Sequence, residues 1–519
     1  MMERIINEFN TFLLNRIEGN IDRYGIVFTT GNKKYYFDTG TGKVLECSDD
    51  VYKVLLHLFE YGKIESCLED FDECKMKNAL MELQSTIDEY NLFQNPVLKA
   101  FHCPHNEELE KIVGTDCSQL ILELTEACNL RCKYCIYGDS NENYRTFSNK
   151  KMTFEIAKKA MDMIIPIAAK KGLALTFYGG EPLIEFGLMK KCIEYFKKNY
   201  KGEVVTINFT SNLTLMTKEI ADYLYENRVS ITCSLDGNKK IHNSNRVYQS
   251  GKGSFDDTIR GLKLLLEAYG SHAIEYISFN MVIDAPFHAE KFSEIQAFFD
   301  ENKWIPEYMH KNISYAEYDM QGKARILRNM DYINGTTGNH DVIGDWTFQQ
   351  ISDLSEENKK IFSGSFVDDN LRKLHNRRIT EKPMQTLGLN GCCIPGEKRL
   401  YVTVDGDFKT CEKVGEAPTI GNVNTGFDYE AIKKYYIEDY EKKSLEICND
   451  CWAVNLCGVC YVAAFRKQEI DINFKRDVCN AQRQSWYNAL IRYHALAERC
   501  PELLEQFNEK KKDTSGNMS

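Results

Sequence analysis

Between residues 24 and 47 apolar and polar positions alternate. Ile26-Val27-Phe28, Tyr35-Tyr36-Phe37 and Val44-Leu45 are separated by Thr30-Gly31-Asn32-Lys33 and Thr39-Gly40-Thr41-Gly42, both turn-forming. Three short strands are predicted, followed by helical periodicity over Asp50 to Glu60 and Lys75 to Glu89. The front of the chain, residues 1–95, thus reads as a small sheet with helices. Asn95-Pro96 and the polar stretch His102 to Asn106 break the pattern and mark a linker over 96–117.

From Ser118 the pattern becomes strand then helix, repeatedly. The predicted strands are Gln119 to Leu124, Leu173 to Phe177, Val204 to Phe209, Val229 to Leu235, Tyr276 to Ile283 and Ile313 to Tyr318. The first five are rich in Val, Ile, Leu, Phe and Tyr, as expected of strands covered on both faces. Helical periods fill the gaps: Phe154 to Ala169, Leu183 to Tyr200, Lys218 to Asn227, Phe255 to Tyr269 and Ala289 to Asp300. This alternation predicts an α/β unit over 118–320 with a parallel sheet, open or closed, and chemistry at the carboxyl ends of its strands. Residues 321–391 hold helical fragments (Lys323 to Met330, Phe348 to Ile361) and no metal-ligand spacing, so they read as a bridge or insertion. Short elements follow over 392–481. A closing helix over Ala481 to Leu496 and a disordered tail from Glu509 complete the chain.

Composition narrows the function. A chain of 519 residues exceeds one ordinary core. No apolar run reaches membrane-spanning length and no signal peptide opens the chain, so a cytoplasmic protein without a membrane partner is expected. A net charge of -11 argues against nucleic acid as main partner. Nineteen cysteines in a large chain with clustered Cys-x-x-Cys spacings read as metal sites rather than disulfides; nine lie at or beyond Cys392, so a second, denser metal region is expected there.

The first metal candidate is Cys128, Cys132 and Cys135, just after the first predicted strand. Three thiolates so close can hold three irons of a cubane and leave the fourth iron without a protein ligand, open to a reactant. A structural zinc site is the alternative. It needs a fourth ligand, for which only His102 and His105 stand nearby in sequence. The later strands end in polar positions of their own: Gly179-Gly180-Glu181-Pro182, Ser211-Asn212 and Asp236-Gly237. Two glycines let backbone approach a ligand, and Glu181 offers a carboxylate to an amino group.

Cys-x-x-x-Cys-x-Tyr-Cys, with Tyr134 as the aromatic, followed by Gly-Gly-Glu-Pro at 179–182, resembles the radical S-adenosylmethionine (SAM) enzymes over roughly residues 118–320. The resemblance implies a partial (β/α)6 barrel. Its [4Fe-4S] cluster would sit on Cys128, Cys132 and Cys135, the methionine amino group would meet Gly179, Gly180 and Glu181, and the adenine would lie near Tyr134. Ser211 and Asn212 would contact the ribose or carboxylate. It also implies a 5′-deoxyadenosyl radical and an external electron donor such as flavodoxin or ferredoxin.

At the other end, Cys393, Cys411, Cys448, Cys451, Cys457, Cys460 and Cys479 resemble the SPASM extension of radical enzymes that modify peptides and proteins. The last pair departs from it, with two residues between Cys457 and Cys460 instead of three. A zinc ribbon would use four of these cysteines and leave the rest idle. The resemblance implies two auxiliary [4Fe-4S] clusters, three in all, with crossed ligation: Cys393, Cys411 and Cys460 for the first, Cys448, Cys451, Cys457 and Cys479 for the second. Cys392 is a candidate fourth ligand of the first, a substrate thiolate the other. The remaining cysteines, Cys47, Cys67, Cys74, Cys103, Cys117, Cys192, Cys233 and Cys500, are expected mostly to be small buried hydrophobes.

The front unit is similar in element order to the winged-helix-like domain that recognises leader peptides, and a sheet edge can accept an extended peptide; a stabilising accessory domain is the alternative. The expectation is a maturase that tethers a ribosomal precursor peptide and joins a cysteine sulfur to a carbon of another residue. Alternatives are carbon-carbon crosslinking, oxidation of a protein cysteine or serine to formylglycine, and a non-enzymatic iron-sulfur peptide-binding protein. Asp236 and Arg246 are candidate catalytic residues. Asp236 is equally a turn former, and Glu123 and Glu126 at the first strand end are equally explained by surface solvation.

Overall fold

The computed structural model describes residues 2–65, 71–101, 108–138, 141–168, 170, 172–203, 205–284, 289–306, 309–315, 327–335, 369–388 and 392–509. His102, Cys103, His105, Cys67, the segment 348–361, residues 323–326 and the tail beyond 509 lie outside them.

The front unit opens with helix α1 (Met2–Leu14), then strands β1 (Gly25–Thr29), β2 (Lys34–Asp38) and β3 (Val44–Glu46), then α2 (Asp49–Tyr61) and α3 (Glu73–Tyr90). The strands form an antiparallel meander in which Ile26 pairs with Phe37 and Phe28 with Tyr35. Three consecutive apolar residues in β1 and β2, rather than strict alternation, have a physical reason: both faces are covered. Val27 and Tyr36 pack on Leu55, Phe59, Leu83 and Phe93, while Ile26, Phe28, Tyr35 and Phe37 share a core with Trp452, Trp486 and Leu490 from the far end of the chain. The β2–β3 turn is fixed by the buried Asp38 carboxylate, which accepts from Thr41 N and Phe93 N, both at 2.9 Å, and from Tyr36 Oη at 3.1 Å. Ser48 and Asp72 cap α2 and α3.

After the short strand β4 (Ala100–Phe101) come β5 (Gln119–Thr125), β6 (Leu173–Gly179), β7 (Val205–Ser211), β8 (Val229–Ser234), β9 (Ile277–Ile283) and β10 (Lys311–Tyr315). They lie side by side in chain order and all parallel. Crossovers that always step the same way, and are right-handed, put their helices on one face and leave the other free for a site. The strand β5 is buried almost throughout. In β8 and β9 burial alternates, with Val229, Ile231, Cys233, Phe279 and Met281 buried and Ser230, Thr232, Ser278 and Asn280 half-buried. These strands are thus covered on one face, and their other face is polar, contrary to the two-sided burial expected from composition.

The C-terminal region extends this sheet instead of standing apart. A short strand β11 (Thr386–Leu387) pairs in parallel with β4. Next, β12 (Arg399–Val402) adds in parallel to β5, followed antiparallel by β13 (Asp407–Lys409), β14 (Gly421–Asn422) and β15 (Gly426–Phe427). The ten-stranded sheet runs from β10 to β15 without closing. The closing helix is longer than expected, Ile472–Arg499, and carries Cys479 within it. No helix among the described residues is long and apolar enough to cross a membrane.

Candidate functional site

Because β5 to β8 are parallel, their carboxyl ends bring together the loop Cys128–Cys135, the turn Gly179–Glu181, Ser211–Asn212 and Asp236. The cysteine loop is fastened from three sides. Gly180 N donates to Thr125 O and Glu181 N to Ala127 O, both at 2.9 Å. A Cβ on Gly179 would stand 2.2 Å from Thr125 O, and one on Gly180 the same distance from Ala127 O and 2.9 Å from Cys128 N. The two glycines are therefore needed for backbone to lie against the cysteine loop, whatever else they meet. Asn129 Nδ2 donates to Thr214 Oγ1 at 2.7 Å and its Oδ1 accepts from Asn212 Nδ2 at 3.0 Å. Arg131 N and Lys133 N donate to Val247 O and Asn245 O.

Glu181 is buried and binds the ends of two strands: its carboxylate accepts from Ser211 Oγ and Asn212 N at 2.8 Å and from Leu183 N at 3.1 Å. Burial pushes its pKa up to about 7 against these donors. Ser211 Oγ also accepts from Leu213 N, and Asn212 Oδ1 from Thr214. Tyr134 Oη donates to Asp236 Oδ2 at 2.5 Å. Asp236 is gripped by Arg246, whose guanidinium also stands 5.4 Å from the Tyr134 ring centroid, and accepts from Val282 N at 2.9 Å.

The three thiols in this frame suit a cluster. Burial pushes Cys128 up to about 12 and Cys132 to about 11, and raises Cys135. Desolvated thiols of this kind ionise only against a cation such as iron. Among the described residues no three His, Cys, Asp or Glu side chains close to the spacing one metal ion needs; sulfurs on a single zinc stand roughly 3.8 Å apart, whereas cubane ligands on separate irons stand wider.

The C-terminal cysteines divide into two electrostatic groups. Burial is the largest influence on each group; after it, Cys392 and Cys411 each feel Cys460, whereas Cys457 feels Cys451, Cys479 and Cys448. Cys460 and Cys457, three positions apart, thus face different groups. Cys393 stands near Tyr461, which also feels Cys392 and Cys460. Cys448, Cys451, Cys457 and Cys479 line one cavity of about 240 Å³ together with Arg483, a cradle that suits a cluster. A second cavity of about 300 Å³ is lined by Glu123, Tyr137, Arg145, Tyr401 and Cys411, and so reaches from just beyond Cys135 to the first C-terminal group. Of the two readings left open for Glu123, surface solvation does not hold: the residue is buried, accepts from Arg145 Nε at 2.6 Å, and Arg145 lies 3.8 Å from the Tyr137 ring centroid. Of the other cysteines, Cys117, Cys192 and Cys233 are buried, whereas Cys74 is exposed. Sequence reasoning missed Asn129, Thr214, Tyr440 and Lys475, which have no motif of their own.

Residues 122–294 match the Radical SAM superfamily, and the chain carries a radical SAM domain, whose superfamily binds SAM and a [4Fe-4S] cluster. Among its relatives are sulfatase-maturating enzymes and a radical SAM cyclopropyl synthase. It is 30% identical over 175 residues to a serine-type anaerobic sulfatase-maturating enzyme of Bacteroides thetaiotaomicron, covering 34% of this chain and 41% of that one. It is 26% identical over 287 residues to the radical SAM cyclopropyl synthase TigE of Paramaledivibacter caminithermalis, covering 52% and 58%. Among solved structures, anSMEcpe with bound AdoMet shares the fold at a TM-score of 0.53 and 20% identity, covering 76% of this chain and 98% of that chain. The chain spans less than half the length of the first curated relatives it matches.

Proposed function

We propose that this protein is a radical SAM peptide maturase that forms a thioether between a cysteine sulfur and a carbon of another residue in a ribosomal precursor peptide. The observation that carries the reading is the cavity between Tyr137 and Cys411, which has room for a substrate side chain between the first cysteine loop and the first C-terminal group. When bound, SAM and its cluster on Cys128, Cys132 and Cys135 supply a radical that removes one hydrogen atom from carbon. Auxiliary clusters, two in this reading, are assigned to Cys393, Cys411, Cys460 and Cys392 or a substrate thiolate, and to Cys448, Cys451, Cys457 and Cys479. The net change would be loss of two hydrogens from the peptide: the hydrogen atom from carbon would leave in 5′-deoxyadenosine, the thiol proton would pass to solvent and the second electron to an auxiliary cluster, while an external flavodoxin- or ferredoxin-type donor would supply the electron that cleaves SAM.

The chain's own residues bind and aim. Glu181 fixes the ends of β6 and β7 and would meet the methionine amino group, whose positive charge would favour the carboxylate form against the rise that burial imposes; Gly179 and Gly180 would approach the same group through backbone. Asp236 and Arg246, saturated by each other and by Tyr134 and Val282, hold the cysteine loop and the adenine-side tyrosine in place. Ser211 and Asn212 shape the ribose wall through Glu181 and Asn129. The front sheet offers the short strand β3, outermost in its meander, as the edge on which a leader peptide would pair, raising the effective concentration of the reactive residue.

The likeness to an anaerobic sulfatase-maturating enzyme favours a second reading, oxidation of a protein cysteine or serine to an aldehyde. Anaerobic reaction with a cysteine-containing precursor peptide, sought as a small reading frame beside this gene, with fragmentation and thiol alkylation of the product, separates the two. A crosslink consumes the thiol and joins two residues, and an aldehyde at a single residue would reject the thioether.

A further inference from the structure

Lys475 lies on the helix Ile472–Arg499, one turn ahead of Cys479. Its side chain is buried, with 2% of the residue exposed. The ammonium donates to Ser444 Oγ, itself fully buried, and stands 4.2 Å from the centroid of the Tyr440 ring. Ser444 and Tyr440 belong to the helix Asp439–Cys448, whose last residue is a cysteine of the second C-terminal group. Tyr440 in turn is hydrogen-bonded to Cys392 of the other group. Lys475 therefore sits in the wall between the two groups.

An ammonium buried away from water needs a counter-charge. Among the described residues no carboxylate pairs with Lys475; its contacts are a hydroxyl and a ring face. The cysteines around it are placed to supply that counter-charge: Cys479 lies one turn further along its own helix, Cys448 one turn beyond Ser444 on the facing helix, and Cys392 is hydrogen-bonded to Tyr440, whose ring the ammonium meets. Arg483 also borders the second group, but it donates to Asn480 Oδ1 at 2.5 Å and to the carbonyls of Cys479 and Leu327.

We propose that Lys475 is the shared counter-ion of both C-terminal cysteine groups, a positioning residue that holds their thiolate charge and raises the reduction potential of the cluster on Cys448, Cys451, Cys457 and Cys479. A fixed positive charge favours the reduced, more negative form of a cluster, so its removal lowers the potential. The inference rests on these cysteines holding clusters.

The test is a redox titration followed by electron paramagnetic resonance, in reconstituted protein whose Cys128, Cys132 and Cys135 are alanine, so that only C-terminal clusters report. Lys475→Met is expected to keep full iron and sulfide and to shift the potential to more negative values, with Lys475→Arg close to the parent. Full iron with an unchanged potential in Lys475→Met, or a shift in Lys475→Arg as large as in Lys475→Met, overturns the proposal. If Lys475→Met loses iron, melting of the iron-free proteins decides. Unchanged melting with iron retained in Lys475→Arg supports a counter-ion, and lowered melting of iron-free Lys475→Met shows a packing role and overturns it. A parent that holds no C-terminal iron defeats the cluster assignment itself, a separate result.

Discussion

Arg246 grips Asp236 at two points, Nε to Oδ2 at 2.9 Å and Nη2 to Oδ1 at 3.0 Å, with both side chains buried. Ten residues separate them in sequence, and their shared third partner, Tyr134, lies in the cysteine loop. The pair therefore ties the end of β8 to the residue between Cys132 and Cys135.

Breaking such a pair from one side strands a buried charge. Arg246→Met or Asp236→Leu alone is expected to cost about 3–5 kcal/mol, and the double variant less than the sum of the two. Urea unfolding of the four proteins checks this; additive losses would remove the coupling on which the positioning role depends.

Gly180 has no room for a methyl group. Gly180→Ala should force the loop carrying Cys128 outward and lower the iron held by the first cysteines, while Gly187→Ala, where nothing lies within 4 Å of the added carbon, should not. Iron analysis of reconstituted proteins gives the comparison, and full iron in Gly180→Ala would count against the close-approach argument.

Glu181→Gln keeps the shape but replaces one acceptor oxygen by an amide that must face Ser211 Oγ or Asn212 N. The expected cost is about 1–3 kcal/mol of stability, together with SAM binding weakened at least tenfold by calorimetry. Retained affinity would separate Glu181 from the methionine amino group and leave it a purely structural role.

Two buried histidines set an acid limit. Burial first, and for His242 the Arg246 charge next, push His242 and His494 down to about 4. Between roughly pH 6.5 and 4 the unfolded chain binds protons on these rings that the folded chain does not, so stability present above pH 6.5 is lost as pH falls through this window. His494, between Phe28 and Tyr35, ties the closing helix to the front sheet, so His494→Gln should flatten the pH dependence of the urea midpoint; an unchanged slope would assign the loss to other groups.

The chain's local patterns announced its parts more readily than its joints. Strands β1 to β3 and β5 to β10, and the helices between them, follow from runs and periods within about ten residues, and the cysteine triplet is legible because its ligands share one loop. Tyr134 and Asp236 are 102 residues apart, a contact that no period encodes. The strand β12 is four residues long, too short to separate from loop by pattern, yet it joins the C-terminal cysteines to the sheet. The alternation Ser230-Ile231-Thr232-Cys233 was present in the sequence, but the density of apolar residues masked it. Trp452 and Trp486 gave no sign that the front sheet would cover them. One practical consequence is that removing residues 1–95 would expose these rings, so peptide binding is better tested by hydrogen exchange at Val44–Glu46 in the intact chain.

The most direct test of the radical SAM assignment is anaerobic reconstitution of the intact chain beside the Cys128→Ala, Cys132→Ala, Cys135→Ala variant, with iron and reductant-dependent SAM cleavage measured on both. Three cubanes predict about twelve irons in the parent and about eight in the variant, with cleavage abolished. Undiminished cleavage in the variant would contradict the account.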